Sequence, residues 1–441
     1  MGHGIQINEN ACRGCVNCIK SCPTEAMRVI HGKVRILEQR CIGCGECIRS
    51  CRHRALSLQE NDWDTVSVRQ PMTVAVDPAL CTQFPWSPNP AVLEGVLRSM
   101  GFEPIFEECA MAYDLAAMAT ARVIEDGSAV EFPVISTYCP AVVRLVQIKF
   151  QELLPHVAPV ESPLETCIDL WRARHNKPDV PASLVVGCPA RVVMVEDPVG
   201  REASSADYVV STARMTREIL SRSHGIKESA ERRARDSRWL NWALFGGETR
   251  HVSQFTERPL KTLAVCGMRN IIAFLQDIEL HRMQGLDFVE LRACDLGCIG
   301  GISNAESRFL SRIKIENYGY SSALTDQQRQ DLETLYEADI WKLQKEIRPI
   351  EQAPLGRDMA KAMEKLEELH SVYAELPHLD CGTCGRPSCR IMAEDIVRGE
   401  GSVDDCIFRL REKIASLSDE IHGLSRRLVH TMTPEDQDEN K

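Results

Sequence analysis

The chain has no surplus of positive charge. Its 52 lysines and arginines are outnumbered by 63 aspartates and glutamates, which leaves a formal net charge of −11 and a pI near 5.7. A protein that takes nucleic acid as its main ligand needs a basic face for phosphates, so no nucleic acid partner is expected. Long hydrophobic runs are missing too. No stretch approaches the roughly 18 apolar residues of a membrane helix. The opening residues, MGHGIQINENACRGC, lack the basic-then-apolar order of an export signal. The expectation is a cytoplasmic protein with no membrane span and with reduced thiols. No kinase, phosphatase or DNA-binding module is evident, so any signal has to pass to a separate protein.

What is abundant is cysteine, with 20 among 441 residues. That length suits two or three domains with a sizeable core, and 44% apolar content is ordinary for a globular chain. Reduced thiols in such number are candidate metal ligands.

The first 60 residues repeat themselves. CRGCVNCIKSCP places Cys12, Cys15, Cys18 and Cys22, and CIGCGECIRSC places Cys41, Cys44, Cys47 and Cys51. Between them AMRVIHGKVRIL gives two short β-like runs around His31-Gly32, the pattern of a hairpin. C-x2-C-x2-C-x3-C twice over resembles the bacterial two-cluster ferredoxins, in which the fourth cysteine of each run ligates the other cluster. The resemblance implies one [4Fe–4S] cube on Cys12, Cys15, Cys18 and Cys51 and another on Cys41, Cys44, Cys47 and Cys22. Pro23 follows the first run as in that family, whereas Arg52 follows the second. Zinc is the alternative occupant.

From about residue 72 strands and helices alternate. TVAVD reads as a buried strand, ASLVVGC and TLAVCG as further short apolar runs that stop at or next to a glycine, and NPAVLEGVLRSMGF and DLAAMATARVIED as helices. This is an α/β arrangement, in which functional residues sit where strands end. The Arg-rich stretch 214–250 mixes acids with bases and reads as a solvated helix with a connecting loop. Residues 326–376 are strongly helical in pattern. CGTCGRPSC and the next cysteine place Cys381, Cys384, Cys389 and Cys406. Their spacing is similar to the four-cysteine cluster domain of anaerobic electron-transfer and corrinoid proteins, which implies a further [4Fe–4S] cluster; zinc could use the same thiolates. Ile407, Leu410, Ile414, Leu417, Ile421, Leu424 and Leu428 then recur at spacings of 3 and 4. That stripe predicts a coiled-coil dimer or a docking helix, ahead of a frayed tail, TPEDQDENK.

Cys294 and Cys298, in RACDLGCIGG, fit neither a C-x-x-C redox pair nor a zinc knuckle. On a helix, residues i and i+4 share a face about 5–6 Å apart, a span that suits two metals of one assembly. Gly300-Gly301 would leave room for something bulky. Cys139 in ISTYCPAVVRL and Cys188 in VVGCPARVV stand beside prolines at strand or loop ends, and the four are expected to converge in one cavity.

This set resembles the H-cluster domain of [FeFe]-hydrogenases, whose signatures are T-S-C-C-P, M-P-C-x-x-K-x-x-E and E-x-M-x-C-x-G-G-C-x-x-G-G. GFEPIFEECAMAYDLA, VESPLE, FGGE and CGMRNIIAFL also look like family segments in the right order, so the resemblance spans about 72–312. It implies that Cys139, Cys188 and Cys294 ligate a [4Fe–4S] cube, beside Gly300 and Gly301. Cys298 would ligate the cube and bridge it to a two-iron unit carrying CO, CN and a small dithiolate. The implied fold class is α/β: a two-cluster ferredoxin domain (1–60), an H-cluster domain of two lobes (61–350), a small helical four-cysteine domain (351–412), and a heptad helix with its tail (413–441). Cys81, Cys109, Cys167 and Cys266 are left over and read as small buried hydrophobes.

The proton machinery departs from the family. Tyr138 stands where the relay cysteine precedes the first cluster cysteine, and a phenol has a pKa near 10 against about 8.5 for a thiol. Ala119 and Thr120 fall where the relay helix usually carries paired glutamates. In the second signature Val186, Gly187, Arg191 and Met194 replace methionine, proline, lysine and glutamate. Arg191 could still donate to a cyanide, as a planar fork rather than a point donor. Cys298, Tyr138 and Arg191 are therefore the positions on which activity turns. Ligands kept and relay lost resemble the sensory branch of the family. The expected function is an H2 or redox sensor with slow or no bulk turnover, reporting to ferredoxin or another redox or signalling protein. The alternatives are a slow ferredoxin-linked hydrogenase acting on H2 and protons, and an electron-transfer scaffold without the two-iron unit.

Overall fold

The structure is a computed structural model that describes residues 2–69, 71–86, 89–222, 238–318 and 324–431. The tail TPEDQDENK and the middle of the Arg-rich stretch lie outside these residues. The chain divides into two units, one made of Met1–Ala11 and Ile36–Gln352, the other of Cys12–Arg35 and Ala353–Lys441.

The first unit is built on two parallel sheets. In one, the strands run in the order Phe102–Pro104, Met72–Val76, Ala182–Val186, Tyr208–Ser211. Its central pair is in register from Thr73↔Ala182 to Val76↔Val185, and all five positions of each central strand are buried. Strands covered on both faces have no solvent side to alternate with, which is why Val74–Val76 and Leu184–Val186 run apolar without alternation. The second sheet orders Thr262–Cys266, Phe288–Arg292 and Val134–Ile135, again all parallel. A short antiparallel pair, Ile5–Ile7 with Leu56–Leu58, completes the strands of this unit among the described residues. Helices Phe106–Asp126 and Pro163–His175 pack on each other beside the larger sheet.

The Arg-rich stretch departs from the solvated reading. Thr212–Arg222 is an amphipathic helix with Met215 and Ile219 buried, but Arg238–Ala243 is a fully buried 3-10 turn. Trp239 and Trp242 anchor that turn in the core, and Arg238 pairs with Asp114 at 2.9 Å. Apolar payload outweighs the flanking charges there.

In the second unit the expected hairpin forms from Met27–Ile30 and Lys33–Ile36, beside helices Met359–Glu375, Cys389–Val397 and Ile407–Thr431. Ser388 caps the second of these helices by accepting from Ile391 N. Val29 N donates to Gly385 O at 2.8 Å. A buried ion pair joins Arg28 to Asp395 through two contacts of 2.7 and 3.0 Å, and Arg386 reaches the same carboxylate at 3.2 Å. The first cysteine run and the C-terminal cysteine group therefore share one packed body. Among the described residues, no helix is long and apolar enough to cross a membrane.

Candidate metal-cluster site

Each of the four scattered cysteines follows the carboxyl end of a parallel strand, where open α/β sheets place their ligands. Cys139 comes after Val134–Ile135 and is the N-cap of helix Pro140–Lys149. Cys188 comes after Ala182–Val186 and is the N-cap of helix Pro189–Glu196. The proline after each cysteine is the first helical residue, where its fixed φ suits the helix and its missing N–H is not needed. Both thiols consequently sit at the positive end of a helix, which favours negative charge.

Cys294 and Cys298 follow the strand Phe288–Arg292, and neither is presented on one face of a helix. Leu296 (φ 64°) and Gly297 (φ 97°) turn the chain left-handed between them, and Cys298 opens a three-residue 3-10 turn. A side chain at Gly297 would lie 2.5 Å from Ala243 O, so the turn is held by close backbone approach. The two glycines that follow serve the same end. A Cβ at Gly300 would meet Asp295 O at 2.1 Å and one at Gly301 would meet Gly187 O at 2.8 Å. Gly301 lines the cavity, whereas Gly300 is not among its lining residues.

Cys139, Cys188, Cys294 and Cys298 all line one cavity of about 450 Å³, together with Gly187, Asp77, Arg191 and Arg292. Burial pushes the Cys188 thiol up to about 11 and the Cys298 thiol up to about 12, and it holds Cys294 well above the ordinary range. The thiols raise one another further, because each disfavours a second negative charge nearby. A cationic metal assembly removes that penalty by holding the sulfurs as thiolates. Gly43 and Cys44 of the second ferredoxin run line the same cavity, and Arg49 Nη2 donates to Gly300 O at 2.9 Å.

Two buried guanidiniums form the rest of the wall. Arg191 Nε lies 3.1 Å from Asp77 Oδ2, and Arg292 pairs with Glu248 at 2.9 Å and Glu290 at 3.0 Å. Among the described residues, Nη1 of each arginine is buried without a hydrogen-bond partner. The Tyr138 ring lies between them, with its centroid 4.5 Å from Arg191 Cζ and 4.0 Å from Arg292 Cζ. Its hydroxyl is 2.9 Å from that of Tyr113, and Trp242 meets the ring edge-on at 5.0 Å. Burial pushes the Tyr138 phenol well above its ordinary range, although Arg191 pulls the other way. Ala119 and Thr120 are buried in helix Phe106–Asp126, where the Thr120 hydroxyl donates to Ala116 O at 2.8 Å. Val186 and Met194 are buried as well.

The donor set fits the expected group. Four thiols in one glycine-lined cavity suit a cube, and two unpartnered guanidinium N–H groups in the same wall suit anionic ligands such as cyanide. Arg292 went unnoticed in the sequence although a signal was there. It stands two residues before Cys294, where the third signature has methionine. Glu290 stands at the glutamate of the same signature and Glu248 closes the segment FGGE, whereas Asp77 carried no such signal.

In the second unit Cys12, Cys18, Cys389 and Cys406 are buried, Cys22 and Cys384 half-buried, and Cys15 and Cys381 exposed. Lys20, inside the first run, donates to Asp380 O and to Pro387 O, flanking the C-terminal group. A hydrogen bond from Thr383 holds the Cys381 thiol below its ordinary range. Among the described residues, no three His, Cys, Asp or Glu side chains are grouped so as to hold a single metal ion. Of the remaining cysteines, Cys81, Cys109 and Cys167 are buried, with Cys109 Sγ and Cys167 Sγ 3.4 Å apart, and Cys266 is half-buried.

Fold and thiols together define an iron–sulfur protein. Comparison with known families bears on which. The 4Fe-4S dicluster domain model matches residues 4–52, and an Fe-S cluster model matches residues 376–408. The model of the iron only hydrogenase large subunit, C-terminal domain, matches residues 70–213 and 194–302, more than half of the chain. The chain belongs to the iron-only, or [FeFe]-, hydrogenase family. No curated protein matches it. Among solved structures, HydA from a study of stepwise [FeFe]-hydrogenase H-cluster assembly is 14% identical with a TM-score of 0.48. Two variants of HydA1 from Chlamydomonas reinhardtii are 14% identical with TM-scores of 0.47 and 0.49. Each alignment covers 66% of this chain and 97% of the other.

Proposed function

We propose that this protein is an H2 or redox sensor of the [FeFe]-hydrogenase type, with slow or no bulk turnover, that reports through [4Fe–4S] clusters to a separate protein. When bound at Cys298, a two-iron unit would supply the open metal position at which H2 is split or formed. Cys139, Cys188, Cys294 and Cys298 would hold the cube, and Arg191 and Arg292 would donate their unpartnered N–H groups to anionic ligands beside it.

The observation that carries the reading is Tyr138. A thiol at that position could pass a proton near neutral pH. The phenol that replaces it is buried, pushed upward, and held between two guanidiniums. Ala119 and Thr120, buried in helix Phe106–Asp126, carry no carboxyl. A site that keeps its ligands but loses general acid–base help forfeits about 10²–10⁴ in rate. The report would leave by way of the ferredoxin runs. The second run abuts the four-thiol cavity in the first unit, and the first run packs with the C-terminal cysteines in the second. Ferredoxin or another redox or signalling protein is the expected recipient.

The experiment is Tyr138→Cys in matured protein, assayed for H2 evolution and oxidation. A thiol there should raise both rates at least tenfold from a low wild-type value. Wild-type rates typical of bulk hydrogenases, or no gain in the variant, would contradict the reading.

A further inference from the structure

Behind the four-thiol cavity, two carboxyls converge on one arginine. Glu248, on helix Gly247–Val252, accepts from Arg292 Nη2 at 2.9 Å, and Glu290, on strand Phe288–Arg292, accepts from Arg292 Nε at 3.0 Å. All three side chains are buried. With both carboxyls ionised the trio carries a net negative charge, which a poorly polarisable interior disfavours.

The two acids are unequally placed to shed that charge. Glu290 accepts from Gly246 N, Thr249 N, the Thr249 hydroxyl and Arg292, all at 2.9–3.0 Å. Four donors fix the Glu290 carboxylate against the turn and the arginine. Among the described residues, Glu248 accepts from two groups, the Ser136 hydroxyl at 2.7 Å and Arg292. Burial pushes its carboxyl up to about 7; Arg292 pulls it down and Glu290 pushes it up. On its other side the helix meets Phe106–Asp126 and Arg238–Ala243, which present Asp114 and Arg238. Those two pair with each other at 2.9 Å, and His251 Nε2 lies 2.8 Å from Asp114 Oδ1. Glu248 is therefore the member of the trio that exchanges a proton.

Arg292 also lines the thiol cavity, its Nη1 is unpartnered, and its charge lowers the Cys298 thiol. The same guanidinium faces the cluster site and keeps Glu248 ionised. Negative charge added at the thiols competes for it.

We infer that Glu248 is a proton-holding positioning residue of the four-thiol site, taking one proton from solvent when the cluster there accepts one electron. The electron comes from a one-electron donor of the ferredoxin class, or dithionite in the test. It reduces the cluster, and an O–H bond forms on Glu248 with a proton released by buffer. The inference rests on the reading that the four thiols hold a redox cluster.

The test is a redox titration of the full chain, reconstituted with iron and sulfide, between pH 5.5 and 9. The signal of this cluster is identified by its loss in Cys294→Ser. The wild-type midpoint should be level at low pH and fall from about pH 7 upward. The slope should approach a tenfold change in the reduction equilibrium per pH unit, or 59 mV for one electron. Glu248→Gln should be level throughout, and Glu248→Asp should keep a displaced slope. A level wild-type midpoint, or a slope unchanged in Glu248→Gln, overturns the inference and leaves the cluster reading standing. No signal that Cys294→Ser removes would overturn that reading and the inference with it. Infrared difference spectra of the wild type keep the test independent of how the variant folds. Reduction should produce a protonated-carboxyl band that shifts in D2O, and its absence overturns the inference.

Discussion

At the scale of single residues, charge in the interior separates what the sequence disclosed from what it hid. Cysteines were legible because a cluster demands thiolates at set spacings, and the Cys-Pro pairs were legible as strand or loop ends, though not as the helix starts they prove to be. The positions of Glu248, Glu290 and Arg292 fall in family segments, but their pairing was not legible, because a charged residue next to apolar ones reads as an exposed face until its partners are known. Ser136 and Glu248 are 112 positions apart in the chain. The same physics governs Glu161. Its carboxyl is pushed up to about 7, chiefly by burial, with Arg201 and the Ser162 N–H pulling down. The folded state therefore holds this proton more tightly than the unfolded chain, whose pKa is near 4.5. The resulting stability is complete below pH 4.5 and is lost as pH rises through 7. Glu161→Gln should lose less stability than wild type between pH 5 and pH 7 in paired urea titrations. An equal loss in the two proteins would contradict the assignment.

At the scale of elements, apolar runs bounded by glycine or proline were readable as parallel strands, buried at Met72–Val76 and Ala182–Val186 but half-exposed at Thr262–Cys266. The hairpin formed as expected, whereas the helical stretch 326–376 is two helices, Asp326–Glu337 and Met359–Glu375, with a non-helical segment between them. Two elements escaped. The turn Arg238–Ala243 is buried despite its charged surroundings, because two tryptophans outweigh them. The segment 294–298 is a left-handed turn, since Gly297 has to pass against Ala243. The helix Ile407–Thr431 leaves its stripe uncovered, with Ile414, Leu417, Ile421 and Leu424 about half exposed or more. The stripe places isoleucine at a and leucine at d over three successive heptads, the combination that favours parallel two-stranded coils. In that arrangement Lys413 and Glu420 at g face Ser418 and Ser425 at e, so no like charges oppose. A second copy of this chain is the expected occupant. Ile414→Asp should convert a dimer to a monomer in light-scattering measurements, with the cluster spectra unchanged. A monomeric wild type would contradict this.

At the scale of the molecule, sequence order disclosed which modules are present but not how packing divides them. The first cysteine run shares a body with the C-terminal four-cysteine group through Arg28–Asp395, and the second run lies in the body that carries the four-thiol cavity. Everything in this arrangement depends on what Cys139, Cys188, Cys294 and Cys298 hold. Infrared spectroscopy of the matured protein, under H2 and then under inert gas, addresses that most directly, because iron-bound CO and CN absorb where protein does not. The account predicts such bands, shifted reversibly by H2. Their absence from a matured sample, or bands indifferent to H2, would contradict it.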